Sequence, residues 1–328
     1  HYQGIFRANF LLSKLPEVPM DATVKARYVA ETKALRALYY FNLVRMFKNI
    51  PLFTEPVSPD NMYSVTQAAP TAVYAQIEKD LTEAIDGLPA IVPTSELGRI
   101  TKGAALALLG KVYLYEGKNA LAAEKLAIVN GDLSNNNQFG YKLLTNFNDL
   151  WVVNNKFNSE SVWEANHSAL GTSYWGIWGS GLDEGNTVNV MVGPRGYVKK
   201  GAGAPDLPSG WSFNVITQSL YDAIKTDPRF GATVLDLKAL VAANQAEYVE
   251  GYQNTGYFLN KFIPRQSDVS TGGGDAVLNY KQNSYIIRLA DTYLMEAEAL
   301  GGTGARAQAL LDKVRARVGL PSVPVTLA

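Results

Sequence analysis

Apolar residues recur at three- and four-residue spacing through most of the first 130 residues. This spacing is the period of an α-helix that buries one face. It predicts five helices, at residues 2–15, 22–47, 71–88, 102–116 and 120–129. The second of these helices carries apolar side chains around much of its circumference, so we expect it to lie at the centre of the core.

Two stretches have the small-residue spacing of helices that cross closely. In the first, Gly110 precedes a turn at Gly117 and a return helix that contains Leu126. In the second, helical residues 286–299 precede a Gly-Gly-Thr-Gly turn at 301–304 and another helix. The spacing resembles that of tetratricopeptide repeats, in which glycine and alanine let two helices approach while larger side chains fill the groove beside them.

The residues between these helical blocks differ in composition. Residues 131–280 are rich in glycine, asparagine, serine, tryptophan and tyrosine, with a strand predicted at 161–165 and a helix at 219–226. Long irregular segments usually carry binding function. We therefore predict a mainly all-α fold in which tetratricopeptide-like helix pairs form a scaffold with a large loop-rich insertion and few short strands. The predicted divisions are a single domain at 1–328, a scaffold at 1–130 and 281–320, and a ligand-binding insertion at 131–280.

Composition narrows the classes of ligand. The 328 residues include 30 basic and 30 acidic side chains, so the formal net charge is zero and nothing favours nucleic acid. Cysteine is absent, which excludes disulfides, thiolate metal sites and a cysteine nucleophile. No apolar run reaches the roughly 20 residues of a membrane-spanning helix. A neutral ligand fits this chain best, and because it begins at His1 we interpret it as processed or trimmed.

No enzyme motif stands out. Only two histidines are present, and neither lies in a metal-binding or triad spacing. Phosphate-binding loops, nucleophile elbows and zinc-binding helices are also missing from the sequence. The carboxylate pairs Asp183–Glu184 and Glu160/Glu164 keep a glycosidase as the lowest-ranked alternative, since a chain with 30 acidic residues contains such pairs by chance.

Aromatic residues give the clearest indication of a binding site in this sequence. Tyr174, Trp175 and Trp178 lie in a loop bracketed by glycines. A pyranose ring packs its C–H face on an indole or phenol, while its hydroxyls need amide, carboxylate or guanidinium partners. The predicted glycan-binding residues are therefore Trp175, Trp178, Tyr174, Asp183, Asn186 and Arg195.

Tryptophans also pack protein interiors. For Trp175 and Trp178, core packing is as well supported as glycan binding: the two side chains could fill a secondary core under the insertion, because most tryptophans are largely buried. Trp163 stands in the predicted strand and Trp151 and Trp211 lie in framework segments, so we interpret these three as packing residues. One observable separates the two hypotheses for the loop: glycan binding requires Trp175 or Trp178 to be exposed on a concave surface.

Three separate motifs occur in the order found in a known family. The first, Leu-Arg-x-x-Tyr-Tyr-Phe-x-Leu-Val-Arg followed by Pro-Leu, is matched by residues 35–45 and 51–52. The others, Arg-x-Ala-Asp-x-Tyr-Leu-Met-x-Ala-Glu-Ala and Val-Arg-x-Arg-x-Gly-Leu, are matched by residues 288–299 and 314–320. The chain resembles the SusD/RagB family of surface glycan-binding lipoproteins. The family's N-terminal region and closing segment have no counterpart in this sequence, so no residue in those parts is carried over.

This resemblance implies a function and a location. Such proteins are surface-exposed, lipid-anchored proteins of the outer membrane of Gram-negative bacteria, and the lipidated cysteine would stand upstream of this chain. They capture oligosaccharide or polysaccharide and pass it to a SusC-like TonB-dependent transporter, without catalysis and with no cofactor predicted. The glycan, calcium binding and the oligomeric state are left open. A second hypothesis keeps the chain as an interaction scaffold for the transporter without glycan affinity of its own.

Overall fold

The computed structural model describes residues 1–60, 62–133, 137–171, 173–177 and 184–327. Within these ranges eleven α-helices dominate and the strands are short, so the predicted mainly all-α fold class is confirmed. Trp178 and Asp183, two of the predicted glycan-binding residues, lie outside the described residues.

The first five helices follow the predicted boundaries closely. They are α1 Tyr2–Lys14, α2 Ala22–Phe47, α3 Pro70–Ile85, α4 Lys102–Tyr115 and α5 Asn119–Asn130, with strands β1 Ile50–Pro51 and β2 Gln67–Ala68 between α2 and α3 and 3₁₀ turns at Leu15–Glu17 and Thr94–Glu96. Asp21 caps α2 by accepting hydrogen bonds from the backbone N–H groups of Thr23 and Val24. Thr101 caps α4 in the same way through the N–H of Ala104. These caps satisfy backbone donors that a helix start leaves without partners.

The described residues of the insertion form only short elements. The strands are β3 Ser161–Ala165, β4 Val198–Lys199, β5 Val234–Asp236, β6 Ala246–Glu247, β7 Tyr257–Leu259 and β8 Ser284–Arg288, and the helices are α6 Val188–Val192, α7 Gln218–Ile224, α8 Phe230–Thr233 and α9 Leu237–Ala242, with 3₁₀ turns at Phe147–Trp151, Gln266–Asp268 and Ala276–Leu278. The strands pair antiparallel as β1–β2, β3–β8, β4–β6 and β5–β7. The predicted strand at residues 161–165 is β3, and the predicted helix at 219–226 corresponds to α7.

The chain returns to the scaffold through β8, which leads directly into α10, Leu289–Ala299, and then α11, Gly304–Ala316. α10 packs against α5, which precedes the insertion. At this contact the buried Asn130 amide donates to the Thr292 carbonyl at 3.0 Å and to the Glu296 carboxylate at 2.7 Å. Arg306 on α11 donates to the same carboxylate at 2.8 Å. The helical scaffold therefore runs from α1 to α5 and continues in α10 and α11.

Close packing between α4 and α5 depends on Gly110. A Cβ atom at this position would lie 2.6 Å from Cγ of Leu126. Leu126 and Ala122 on α5 are fully buried. The two helices approach this closely because Gly110 has no side chain, which is the crossing that the repeat-like spacing predicts.

The arginine of the first family motif holds helices together. The Arg36 guanidinium on α2 is buried and donates to both carboxylate oxygens of Asp80 on α3, at 2.8 and 2.6 Å. It also donates to Asn9 on α1 at 2.7 Å. This bidentate pair joins α2 to α3 and helps to fix the central position of α2.

The insertion has a core of its own. Phe258 on β7 and Leu237 on α9 are fully buried and pack with Ile263 and Tyr197. A neighbouring cluster joins Val234 on β5 to further apolar side chains. These clusters support the loops that carry the candidate site.

Candidate functional site

An open groove lies on the insertion, between the segment that follows α6, the start of α7 and the loop before β7. Its volume is about 700 Å³, within the range of roughly 300–1,000 Å³ for small-molecule sites. Its lining consists of Arg195, Trp211, Ser212, Phe213, Asn214, Val215, Thr217, Gln218, Gly251, Tyr252, Gln253 and Thr255. Aromatic, amide and hydroxyl groups dominate this lining, and none of the described residues in it is a carboxylate.

Three aromatic rings form a continuous wall at one end of the groove. Trp211 lines the groove, and the ring of Trp175 stacks against it with centroids 5.9 Å apart and an interplanar angle of 24°. The Phe213 ring also packs next to Trp211, with centroids 5.7 Å apart. Trp175 and Phe213 are each 49% exposed. The wall therefore presents ring surface to solvent, which is what the apolar face of a sugar needs.

Backbone hydrogen bonds fix Trp211 against α6 and the residues that follow it. The Trp211 N–H donates to the Val190 carbonyl at 2.9 Å, and the Phe213 N–H donates to Met191 at 2.7 Å. Gly210, just before Trp211, crosses Gly193 so closely that a Cβ on it would lie 2.4 Å from the Gly193 backbone. Because glycine has no Cβ, the backbone at Gly210 can pack directly against the backbone at the end of α6.

Trp175 is held by a different segment of the insertion, around residue 275. Its backbone N–H donates to the Asp275 carboxylate at 2.9 Å. The carbonyl of Ser173 accepts hydrogen bonds from the Asn279 amide at 2.8 Å and from the Asp275 N–H at 3.0 Å. Two distant parts of the sequence, around residues 175 and 275, thus position one ring of the wall.

Three lining residues adopt a left-handed backbone conformation. Ser212, Asn214 and Gln253 have φ values of 58°, 54° and 53°. Non-glycine residues seldom adopt positive φ, and such conformations concentrate at binding and active sites. The fold therefore maintains backbone strain on both sides of this groove.

The polar groups of the groove match the needs of hydroxyl-rich ligands. Arg195 is exposed, and its guanidinium makes no hydrogen bond or ion pair with a described residue. Its backbone N–H is fixed by the Ser212 hydroxyl at 2.8 Å. Asn214, Gln218 and Gln253 add amide donors and acceptors. The arrangement can bind and orient a ligand, and the described residues of its lining include no pair of acids for hydrolysis.

The predicted glycan-binding residues divide into three groups. Tyr174 and Trp175 are about half exposed, and Arg195 lines the groove. Asn186 is only 2% exposed: its amide donates to the Gln282 carbonyl at 2.8 Å and accepts from the Val188 N–H at 3.0 Å. That amide is therefore occupied within the protein. The third group, Trp178 and Asp183, lies outside the described residues.

Two of the acids considered for a glycosidase, Glu160 and Glu164, have partners within the protein. Glu160 is fully buried and accepts hydrogen bonds from Arg317 at 2.6 and 2.7 Å, with Arg288 at 3.4 Å. Glu164 is buried in β3, where burial raises its pKa and the Phe157 N–H donates to it. Glu160 joins the insertion to the chain after α11, Glu164 bonds within the insertion, and neither lines the groove.

Sequence reasoning missed three aromatic residues of the groove. The interpretation of Trp211 as a packing residue is wrong in part, because Trp211 both stacks on Trp175 and lines the groove. Phe213 and Tyr252 also line it, and Tyr252 is 90% exposed. One signal was available: both aromatic segments stand beside glycine and asparagine in stretches without periodicity.

Comparison with known proteins identifies the family. The model of the SusD-like family described as starch-binding and associating with the outer membrane matches residues 1–114, and that of the SusD family matches residues 176–327. The chain is 65% identical to a solved laminarin-binding SusD-like protein, with a TM-score of 0.97, covering 99% of this chain and 71% of that one. The chain belongs to the SusD/RagB family.

More distant matches are also SusD-like or surface glycan-binding proteins. Surface glycan-binding protein A from Bacteroides thetaiotaomicron, solved in complex with laminarihexaose, is 23% identical with a TM-score of 0.84, covering 99% of this chain and 69% of that chain, and it shares the fold. A SusD-like protein of Formosa agariphila is 25% identical over 96% of this chain and 60% of its own length, and one of Bacteroides ovatus is 27% identical over 93% and 54%. The chain thus spans between half and two thirds of the length of these two curated relatives.

In the part of the chain that the structure describes, no helix combines the length and apolarity needed to cross a membrane.

Proposed function

We propose that this chain captures a neutral glycan in the groove beside Trp175 and Trp211. The observation that carries the proposal is the stacked pair of Trp211 and the half-exposed Trp175 at the end of a groove lined by amides, hydroxyls and the guanidinium of Arg195, which pairs with no described residue. The rings supply stacking surface for sugar C–H groups, and the polar side chains replace water at the hydroxyls. Such capture needs no cofactor and no catalytic acid.

Laminarin, a neutral β-linked glucan, is the ligand that we put first. The support is the 65% identity to a protein described as laminarin-binding. The zero net charge of the chain and a groove lining whose described residues include no acid agree with a neutral polymer. Affinity for one short oligosaccharide should be modest, and contacts along a polymer should increase it.

We further propose that the whole protein works at the outer membrane. The family model is described as associating with the outer membrane. From this we infer a surface-exposed protein, anchored by a lipidated cysteine upstream of this chain, that delivers the glycan to a SusC-like TonB-dependent transporter. The helical scaffold, which lies apart from the groove lining, is the part we assign to that partner.

The alternative, a scaffold without glycan affinity, has less support. It permits both tryptophans of the loop to be buried, whereas Trp175 is 49% exposed and stacks on a ring of the groove. A glycosidase is disfavoured because Glu160 is held by two arginines inside the protein.

Affinity-gel electrophoresis on laminarin, starch and the acidic polymer alginate tests the proposal. We expect laminarin to retard the chain, alginate to leave its mobility unchanged, and starch to have a smaller effect than laminarin. Equal migration in all three gels and in a gel without polymer would contradict glycan capture and favour the scaffold hypothesis. Retardation by starch alone would retain capture and reject laminarin as the ligand.

A further inference from the structure

A second cavity lies on the insertion, with no lining residue in common with the groove. It has a volume of about 420 Å³. Its walls come from the 3₁₀ turn Phe147–Trp151 and the residues after it, from α8, and from the segment between β7 and the turn Gln266–Asp268. The two sites are therefore built from different loops on one frame.

Two nitrogen donors beside this cavity have no partner among the described residues. Trp151 Nε1 and Arg265 Nη1 are both buried, and neither donates a hydrogen bond to a described residue. Both residues line the cavity. Buried N–H groups in folded proteins almost always have an acceptor, so these two indicate a place where an oxygen-bearing molecule binds.

Neither donor can turn easily to find an acceptor elsewhere. The Trp151 ring is enclosed by the rings of Phe147, Phe262 and Tyr285, with centroids 5.9, 6.0 and 6.0 Å away. Arg265 is fixed by its Nη2, which donates to the Asn260 amide oxygen at 2.9 Å. The donors are therefore positioned before any ligand arrives, which lowers the cost of binding.

The rest of the lining matches a neutral polyol rather than an anion. Asp268 contributes a carboxylate that balances the charge of Arg265 and would repel an oxyanion. Asn148 and Asn154 are exposed, and their amides, which both donate and accept, make no hydrogen bond to a described residue. Val152 and other apolar side chains supply surface for C–H groups. The cavity lining therefore combines donors, acceptors and apolar surface, the three features that a sugar also presents.

We propose that this cavity is a second carbohydrate-binding site, which takes one or two neutral sugar residues through Trp151 Nε1, Arg265 and the asparagine amides. The proposal rests on the proposed function only for the choice of sugar, since the two sites share no residue. Two sites on one chain let a polymer bind at both, so that the second contact is intramolecular and increases retention without new affinity at either site.

The indole N–H signals in a nitrogen-15 NMR spectrum test the second site directly. The chain has 5 tryptophans, and single substitutions assign their signals. Laminarihexaose is the probe. We expect a saturable shift of the Trp151 signal in the wild-type chain, and the same shift in Trp175→Ala, whose groove is impaired.

Val152→Trp blocks the cavity from its open side, because Val152 is 51% exposed and lines it. Val198→Trp is the matched control, since Val198 is also 51% exposed but does not line the cavity. We expect the Trp151 shift to disappear in Val152→Trp and to persist in Val198→Trp, with the other indole signals of both variants remaining dispersed as in the folded protein.

The outcomes separate the two sites. Shifts at Trp175 and Trp211 with none at Trp151 would overturn the second site and leave the groove intact as a glycan site. A Trp151 shift without any groove signal would retain the second site and contradict the proposed function of the groove. No shift at any indole, or a Trp151 shift that survives in Val152→Trp, would overturn the second site as described.

Discussion

Lys261 holds an ammonium group between two aromatic rings. Its Nζ lies 4.6 Å from the centroid of Trp151 and 5.4 Å from that of Phe147. Burial, and then the positive charges of Arg288 and Arg229, lower its pKa from 10.5 to about 8, while Asp291 opposes the shift. The cation–π contacts therefore do not compensate fully for the loss of water and the nearby like charges.

Lys261→Met should stabilise the protein at neutral pH. The unfolded chain keeps the Lys261 proton up to pH 10.5, whereas the folded chain releases it near pH 8. The charge therefore costs stability below about pH 8, and this cost disappears as the pH rises towards 10.5. After allowance for partial solvent screening, we expect a gain of about 1–2 kcal/mol at neutral pH that shrinks near pH 10.

Urea unfolding of both proteins at the two pH values measures this difference. Lys238→Met is a suitable control, because Lys238 is exposed and forms no ion pair with a described residue. A Lys261→Met protein that is less stable than the wild type at neutral pH would show that the aromatic contacts outweigh desolvation.

At the candidate site, one tryptophan could be predicted from the sequence and another could not. Trp175 could be proposed from the sequence because it stands in a loop with other aromatic residues. Trp211 could not, since its position against Trp175 depends on hydrogen bonds to α6 and on the crossing of Gly210 with Gly193. These contacts join residues far apart in the chain, and no local pattern encodes them.

Helices were the most predictable elements. The boundaries of α2 and α4 follow from their periodicity and from the capping residues Asp21 and Thr101. The pairing of α5 with α10 is set by Asn130, Thr292 and Glu296, which only the fold brings together. The short ribbons β4–β6 and β5–β7 escaped prediction, because two or three residues are too few to show an alternating pattern.

The close contact between α4 and α5 predicts how one added methyl group at Gly110 changes the stability of the protein. Gly110→Ala places a Cβ 2.6 Å from Leu126, which is fully buried and cannot withdraw into solvent. Overpacking of this kind costs about 1–3 kcal/mol, more than the gain of up to about 1 kcal/mol from helix propensity. We expect a net loss of stability, measured by urea unfolding with circular dichroism.

Gly231→Ala provides the matched comparison for this prediction. A Cβ at Gly231, in α8, meets no atom within 4 Å. We expect stability to stay the same or to rise by up to about 1 kcal/mol, since alanine restricts the unfolded chain. Equal effects of the two substitutions would mean that α4 and α5 do not pack as closely as described.

At the scale of the whole molecule, one helical scaffold carries an insertion that begins and ends beside it. β3 pairs antiparallel with β8, which leads directly back into scaffold helix α10. Glu160, next to β3, binds Arg317 after α11 and so ties the insertion to the last helix. The groove therefore sits on loops whose two ends are fixed to one frame, an arrangement that suits a preorganised binding surface.

Isothermal titration calorimetry with laminarihexaose on the wild-type chain, Trp175→Ala and Trp211→Ala tests the central claim most directly. Phe47→Ala is the control, because Phe47 is 65% exposed at the end of α2 and does not line the groove. The account predicts at least about a fivefold loss of affinity in each groove variant, as expected when about 1 kcal/mol of ring stacking is removed. It predicts no change in Phe47→Ala. Wild-type affinity in both folded groove variants would contradict the claim that the Trp175–Trp211 wall binds the glycan.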